Sequence, residues 1–143
     1  MEKLIIDTSY FIAYLNKRDK HHQEALALSK KLEVYEAVIT DYIFDELVTF
    51  LAYHVNRNYA IKVANEVLNK VGEGELTLHF VDHETFKAAL NYLTKYDGLS
   101  FTDCTTLSSM DELGTQFVLT FDRGFDNVTL IGLKKPVINV RYL

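Results

Sequence analysis

Short apolar runs alternate with helical patterns along this 143-residue sequence, and this alternation is the feature that most constrains its fold. Strands that alternate with helices are joined by right-handed crossovers and form a parallel sheet covered on both faces. The sequence therefore predicts an α/β fold, a three-layer α/β/α sandwich around a central, mostly parallel sheet, built as one domain from residues 1–143. The predicted strands cover residues 3–7, 37–40, 76–81, 117–121 and 137–140, and the predicted helices cover residues 8–15, 21–32, 42–54, 59–71, 83–96 and 100–113.

The composition excludes several classes of protein. Hydrophobic residues make up 48% of the chain, which is enough to line a core, and the single cysteine, Cys104, rules out an internal disulfide or a cysteine-rich zinc site. No apolar stretch approaches the roughly 20 residues that cross a bilayer, and the start of the chain lacks the features of a secretion signal. We therefore expect a soluble, cytoplasmic protein with no membrane segment.

Taken alone, the net charge of −5 argues against a nucleic-acid-binding protein, because such proteins usually carry a basic footprint. Two interpretations of the acidic excess are open. The acids either form a solvated surface, or several of them are grouped in a metal site and do not belong to the outer surface. Their positions in the sequence decide between the two.

Two of the predicted strands end at an aspartate, one at Asp7 and the other at Asp122. Because binding sites in parallel sheets form just beyond the carboxyl ends of the strands, both carboxylates are expected at the same rim. Each also has an ordinary structural interpretation. Asp7 before Thr8 and Ser9 is good chemistry for a helix N-cap, and Asp122 near Gly124 suits a turn.

The helix predicted over residues 42–54 carries a third acid, Glu46, at the border of its apolar face. The neighbouring Asp45 points nearly opposite, toward solvent. If one acid of this helix reaches the rim, it is therefore Glu46, although a charged residue beside an apolar face can also extend its head into water. The apolar face comprises Ile43, Leu47, Phe50, Leu51 and His54.

Asp103 is the most unusual acid, because it falls within the broad apolar face of the last predicted helix. A half-buried carboxylate is costly unless it is paired, hydrogen-bonded or bound to a metal. The competing interpretation is a capping box, in which Asp103 reaches back to the backbone of Ser100. The apolar positions of this helix are Phe101, Cys104, Leu107 and Met110, and we expect Cys104 to pack there rather than act as a nucleophile.

Four ionised acids in one pocket require a cation, since like charges at close range repel strongly. Oxygen-only sites with open positions suit Mg²⁺ or Mn²⁺, which keep several waters and bind phosphates. The chemistry that follows is phosphodiester hydrolysis, in which the metal generates hydroxide, aligns it for in-line attack and shields the leaving oxygen.

The ordered motifs Ile6-Asp7-Thr8-Ser9, Asp45-Glu46-Leu47, Ser100-Phe101-Thr102-Asp103 and Thr120-Phe121-Asp122-Arg123-Gly124-Phe125 resemble those of PIN-domain ribonucleases, and most closely those of VapC-type toxins of toxin–antitoxin pairs. The resemblance spans nearly the whole chain, from Leu4 to Val140. It implies a PIN-like fold and a Mg²⁺- or Mn²⁺-dependent endoribonuclease. It also implies a homodimer, an RNA substrate and an inhibitory antitoxin protein.

By motif, the resemblance carries an acidic catalytic and metal site over to Asp7, Glu46, Asp103 and Asp122. Supporting roles fall to Ser9 or Thr8, to Thr120 and, for phosphate contact, to Arg123. Many members of the family have another acid two residues after the fourth aspartate, where this chain has Gly124. Asp126 is the next available acid and is a possible accessory ligand, although Asp126-Asn127 is also an ordinary turn signal.

The remaining signals are weak or belong to alternatives. The adjacent His21 and His22 point about 100° apart on a helix and cannot chelate together, so we expect no zinc site. The basic residues Lys17, Arg18 and Lys20 either flank the groove as a phosphate-binding rim or form a solvated loop. The alternative functions are an RNA- or protein-binding module without catalysis and a nuclease that processes RNA outside any toxin system.

Overall fold

The computed structural model describes residues 1–143, and its elements follow the predicted alternation. Five strands form the sheet and six helices surround it. No helix is long and apolar enough to span a membrane. The strands are β1 (Lys3–Ile6), β2 (Glu36–Thr40), β3 (Thr77–His79), β4 (Phe117–Leu119) and β5 (Ile138–Asn139), and the helices are α1 (Thr8–Leu15), α2 (His22–Leu28), α3 (Asp41–His54), α4 (Arg57–Gly72), α5 (His83–Lys95) and α6 (Phe101–Leu113).

The sheet has the strand order β3-β2-β1-β4-β5, and every pair of neighbours is parallel. Helices α1, α2, α3 and α4 pack among themselves, while α5 packs on α6. With right-handed crossovers these two groups cover opposite faces of the sheet. The predicted three-layer α/β/α architecture is therefore confirmed, with a sheet that is wholly rather than mostly parallel.

The core lies around the central strand β1 and its neighbours, because parallel strands covered on both faces are apolar throughout. Leu4 and Ile5 of β1 and Val118 and Leu119 of β4 are all fully buried. Each of these strands ends at the same rim, and the chain leaves the sheet there at polar residues. This rim is where the functional side chains have to be sought.

The helix boundaries are determined by short polar side chains that accept backbone N–H groups. Thr40 caps α3, Asp82 caps α5 and Ser100 caps α6, each through a side-chain oxygen. Helix α6 ends at Gly114, whose φ of 73° lies in the left-handed region that glycine tolerates. These caps fix where α3 and α6 begin, and with them the positions of Glu46 in the second turn of α3 and of Asp103 in the first turn of α6.

Two details differ from the sequence-based expectation. The second helix ends at Leu28 rather than near residue 32, and a 3-10 segment Ser29–Val34 follows. Ser29 Oγ donates to the carbonyl of Leu26 at 2.6 Å, a local bond that competes with continued α-helix. His54, expected on the apolar face of α3, is exposed because it lies in the last turn, beyond the sheet-covering part of the helix.

Candidate active site

A pocket of about 440 Å³ lies beyond the carboxyl ends of β1 and β4. Most of the residues that line it are polar, and its walls include the N-terminal turns of α1 and α6 and the second and third turns of α3. It brings together all four acids that the sequence predicted for one site. The lining residues are Asp7, Thr8, Ser9, Ile12, Glu46, Phe50, Gly98, Ser100, Asp103 and Asp122.

Asp7 occupies the centre of the pocket's hydrogen-bond network. Its backbone N–H donates to the carbonyl of Leu119 at 2.9 Å, so the residue is tied to β4 as well as to β1. One carboxylate oxygen, Oδ2, accepts the hydroxyls of Ser9 at 2.7 Å and Thr120 at 2.9 Å. The same oxygen accepts the N–H of Ser9 at 3.3 Å, which makes Asp7 the N-cap of α1. The N-cap interpretation therefore holds, and the residue lines the pocket as well.

The hydroxyls of Ser9 and Thr120 each donate one hydrogen bond and accept another. Besides donating to Asp7, Ser9 Oγ accepts the N–H of Phe121 at 2.9 Å, and Thr120 Oγ1 accepts the N–H of Asp122 at 2.9 Å. The backbone that carries Asp122 is thus attached through two hydroxyls to the carboxylate of Asp7. Thr120 is fully buried and lies beneath the pocket rather than on its wall.

Burial raises the pKa of Asp7, and the nearby charge of Asp122 raises it further. The hydrogen bonds from Ser9 and Thr120 lower the pKa, but they only partly offset the effect of burial. The carboxylate is only 3% exposed and has no cationic partner. Its ionised form is therefore costly in the protein alone.

Glu46 enters the pocket from α3, whereas its neighbour Asp45 is exposed on the opposite side, as the helical geometry predicts. Burial raises the pKa of Glu46, and the charges of Asp7 and Asp122 raise it further. The Thr8 hydroxyl lies close enough to favour the charged form of Glu46, but its geometry falls short of a full hydrogen bond.

Asp103 combines the two interpretations that the sequence left open. Its backbone N–H donates to Ser100 Oγ at 3.0 Å, and its Oδ2 accepts the N–H of Ser100 at 3.0 Å, which is a complete capping box. The side chain is nevertheless only 7% exposed and lines the pocket. Burial raises its pKa to about 7, and the nearby charges of Asp7 and Asp122 contribute to the shift.

Asp122 also has both of its expected properties. Its Oδ1 accepts the N–H of Gly124 at 2.8 Å and so stabilises the turn, while the residue lines the pocket. A Cβ atom at Gly124 would lie 3.2 Å from Asp122 Oδ1 and 3.3 Å from Leu99 Cδ2, which is tight. The packing around this turn therefore favours glycine over a residue with a side chain at position 124.

Several residues considered from the sequence do not line the pocket. Arg123 is 87% exposed in its side chain, and its Nε lies 3.7 Å from Asp126 Oδ2, so these two residues pair with each other. His21 stacks on Phe121, whereas His22 Nδ1 contacts the carbonyl of Ala13. The basic residues of the loop after α1 are exposed: Lys17, Arg18 and Lys20. Cys104 is buried in the core, as expected.

The oxygen ligands that the pocket offers suit a hard divalent cation, but the protein side chains alone do not form a complete coordination shell. No group of three or more potential ligands stands close enough together to hold a metal ion. All four acids offer oxygen only, and three of them have raised pKa values. Mg²⁺ is usually held by one or two carboxylates, several waters and substrate phosphates. An open, purely carboxylate pocket agrees with that mode of binding.

Several residues of the site were not identified from the sequence, among them Ile12 and Gly98 of the pocket wall. Phe50 was assigned to the core face of α3, yet it is only half-buried and lines the pocket one turn beyond Glu46. Asn139 of β5 holds Thr120 by its backbone, donating through Nδ2 to the Thr120 carbonyl at 2.9 Å. The spacing of Phe50 from Glu46 was an available signal, but the role of Asn139 depends on strand pairing that the sequence does not display.

Comparisons with known proteins agree with this fold. The PIN domain family model matches residues 4–130. The crystal structure of Mycobacterium tuberculosis VapC20, described as a sarcin-ricin loop cleaving toxin, is similar with a TM-score of 0.77 over 90% of this chain and 97% of that chain, at 22% sequence identity. No curated protein shows significant sequence similarity to the chain. Since the family match covers most of the sequence, the resemblance noted from its motifs is confirmed, and the chain belongs to the PIN domain family.

Proposed function

We propose that this chain is a metal-dependent endoribonuclease that hydrolyses RNA phosphodiester bonds, and that it is the toxin of a toxin–antitoxin pair. The observation that carries the proposal is the convergence of four acids on one pocket without a single cationic side chain on its walls. Such a set gains from a divalent ion and from a phosphate that shares the ion. The acids are Asp7, Glu46, Asp103 and Asp122.

In this proposal the four carboxylates hold Mg²⁺ or Mn²⁺, and the ion when bound supplies Lewis-acid activation of water and neutralises charge on the phosphate. The chain's own contribution is orientation. Ser9 and Thr120 fix the rotamer of Asp7 through two hydroxyl hydrogen bonds. The backbone of Ser100 fixes the carboxylate of Asp103. Groups that orient metal ligands in this way are typically worth 10–100-fold in metal affinity or activity.

The proposed biological role extends from the similarity to VapC20, which is itself described as a toxin that cleaves the sarcin-ricin loop. We infer an RNA substrate and a cognate antitoxin for this chain from membership of the same fold family. A homodimer and a cytoplasmic location are further parts of the proposal. The particular RNA is left open, because an identity of 22% does not carry a target from one protein to another.

The test is cleavage of RNA by the purified protein in the presence of Mn²⁺ or Mg²⁺. We expect cleavage by the parent protein, its loss on addition of a chelator, and its loss in Asp7→Asn. The matched control is Asp45→Asn, which removes an exposed acid next to Glu46 and should leave the rate within about twofold of the parent. Equal activity in the parent and Asp7→Asn would contradict the proposal.

The second candidate is a binding module that keeps the fold without catalysis. It is favoured by the finding that no three acids stand together as a preformed metal cluster. Thermal stabilisation by Mg²⁺ without hydrolysis of any RNA would support this candidate. Cleavage without growth arrest when the protein is expressed without a partner would instead indicate an RNA-processing nuclease outside any toxin system.

A further inference from the structure

A pair of stacked rings extends α3 beyond the acidic pocket. Phe50 lines the pocket and packs against the core, and the ring of His54 lies parallel to it, with centroids 4.0 Å apart and planes 14° apart. His54 Nδ1 is 3.0 Å from the carbonyl of Phe50, which holds the imidazole in place. The pair is therefore an ordered, partly exposed aromatic surface that starts at the pocket wall.

The two rings lie on the same side of α3 as the pocket acid Glu46. Glu46, Phe50 and His54 follow one another at intervals of four residues, so they lie along one side of α3 with a rise of about 6 Å at each step. The first is inside the acidic pocket, the second is on its wall and the third is outside it. A chain of nucleotides that places one phosphate at the acids thus has an aromatic stack within reach of a neighbouring base.

The electrostatics of the pocket explain why such a surface is useful. Four carboxylates repel the phosphates of a nucleic acid, and the protein as a whole carries a net charge of −5. Affinity for a strand then has to come partly from contacts that are indifferent to charge. Stacking of bases on Phe or His rings is such a contact, and it is a standard means of recognising unpaired RNA.

We propose that the Phe50–His54 stack is a base-stacking subsite, which binds the base of a nucleotide adjacent to the phosphate held at the acids. This inference rests on the proposed function, since it names how the RNA would be held. The base stacks on the outer face of the imidazole and extends the Phe50–His54 stack by one ring. Specificity at this subsite is for an unpaired base of any identity, because every base has a π-face.

The test separates binding from cleavage by using Asp7→Asn as the parent. The probes are a short single-stranded RNA that the wild type cleaves at a mapped bond, and the same RNA with an abasic nucleotide placed in turn on either side of that bond. In this parent, His54→Ala is expected to weaken binding of the intact RNA by roughly 5- to 100-fold. At one of the two positions, removing the base should weaken binding to the parent protein about as much as His54→Ala weakens binding of the intact RNA. Removing the same base should not weaken binding to His54→Ala any further.

Two variants control for a merely structural role of His54. His54→Phe keeps a stacking ring but loses the contact with the Phe50 carbonyl, and it should retain most of the affinity. Tyr53→Ala removes a neighbouring aromatic side chain that is 85% exposed and about 100° away around the helix, and it should bind RNA like the parent. Melting temperatures of all variants verify that each is folded.

The outcomes distinguish this inference from the proposed function. If RNA is cleaved and bound, but the effects of His54→Ala and of both abasic positions are simply additive, the base-stacking subsite is wrong and the nuclease proposal stands. Loss of affinity in His54→Phe as large as in His54→Ala would also overturn the subsite. If the wild type neither binds nor cleaves RNA, both proposals fail together.

Discussion

Acids in two regions of this molecule have opposite surroundings. On the side of α2 and the C-terminus, Glu24 accepts two hydrogen bonds from the guanidinium of Arg141, at 2.7 and 3.1 Å. At the pocket, four acids lie together and none forms an ion pair with any lysine, arginine or histidine. The charge of Glu24 is neutralised by an arginine of the same chain. The charges of the four pocket acids have no such partner and are left for a bound cation to neutralise.

This difference shows how the fold treats charge in a structural region and in a functional one. Glu24 and Arg141 join α2 to the C-terminal segment, and the guanidinium also lies 4.8 Å from the ring centre of Phe121. In the pocket the only partners of the acids are hydroxyls and backbone N–H groups, which orient the carboxylates without neutralising them. Groups with perturbed pKa values cluster at functional sites for this reason.

The largest effect is expected from Thr120→Val, which keeps the shape of the side chain but removes the hydroxyl between Asp7 and Asp122. RNA cleavage should fall by roughly 10- to 100-fold, because the carboxylate of Asp7 loses an orienting donor and the N–H of Asp122 loses its acceptor. The matched control is Thr106→Val, whose buried hydroxyl has no hydrogen-bond partner. Steady-state cleavage rates compare the two, and equal rates would show that the hydroxyl network does not position the site.

Asp103→Asn should stabilise the metal-free protein. The pKa of Asp103 rises from 3.8 to about 7 on folding, so between these pH values the folded state binds more protons than the unfolded chain. The free energy of unfolding therefore falls as pH rises through this range, and the variant should lack that part of the slope. At about pH 8 we expect a gain of roughly 2 kcal/mol, less than the shift alone implies because neighbouring groups relax.

Urea unfolding in the presence of a chelator, at about pH 5 and pH 8, checks this prediction. The stabilising effect should be fully present at the higher pH and reduced to roughly a third at the lower, because pH 5 lies only about one unit above the unfolded pKa of 3.8. A variant that is destabilised by the same amount at both values would mean that the capping box with Ser100, rather than charge repulsion, dominates at this position.

Glu24→Gln should change stability in the opposite direction. Removing the charge from a two-bond contact with Arg141 is expected to lower the free energy of unfolding by about 1 kcal/mol, with a smaller effect at high salt. Glu36→Gln is the control, since its single contact with Lys3 at 3.4 Å lies at the surface and should be worth less than about 0.5 kcal/mol. If Glu24→Gln were stabilising, the contrast between the two regions would be lost.

The sequence predicted the parts of this structure that depend on local rules. Apolar runs identified the strands, and the acids at their ends identified the rim. The helical positions of Asp45 and Glu46 separated the exposed acid from the pocket acid. The N-cap of α1 and the capping box of α6 were also available from residue types alone. Each of these features involves residues a few positions apart.

The sequence did not predict the features that depend on how distant elements meet. For Asp7, Asp103 and Asp122, a local structural role and a place in the pocket were treated as alternatives, but each residue has both. A helix N-terminus at the rim of a parallel sheet points its cap into the site, so the two roles coincide. The exposure of His54 depends on where α3 leaves the sheet.

The most direct test of a shared metal site is the melting temperature as a function of Mg²⁺ or Mn²⁺ concentration. A ligand that binds only the folded state raises the melting temperature by mass action. We predict a clear rise for the parent protein and for Asp45→Asn, and a much smaller rise for Asp103→Asn. The same rise in both variants, or none in the parent protein at millimolar ion, would contradict the account.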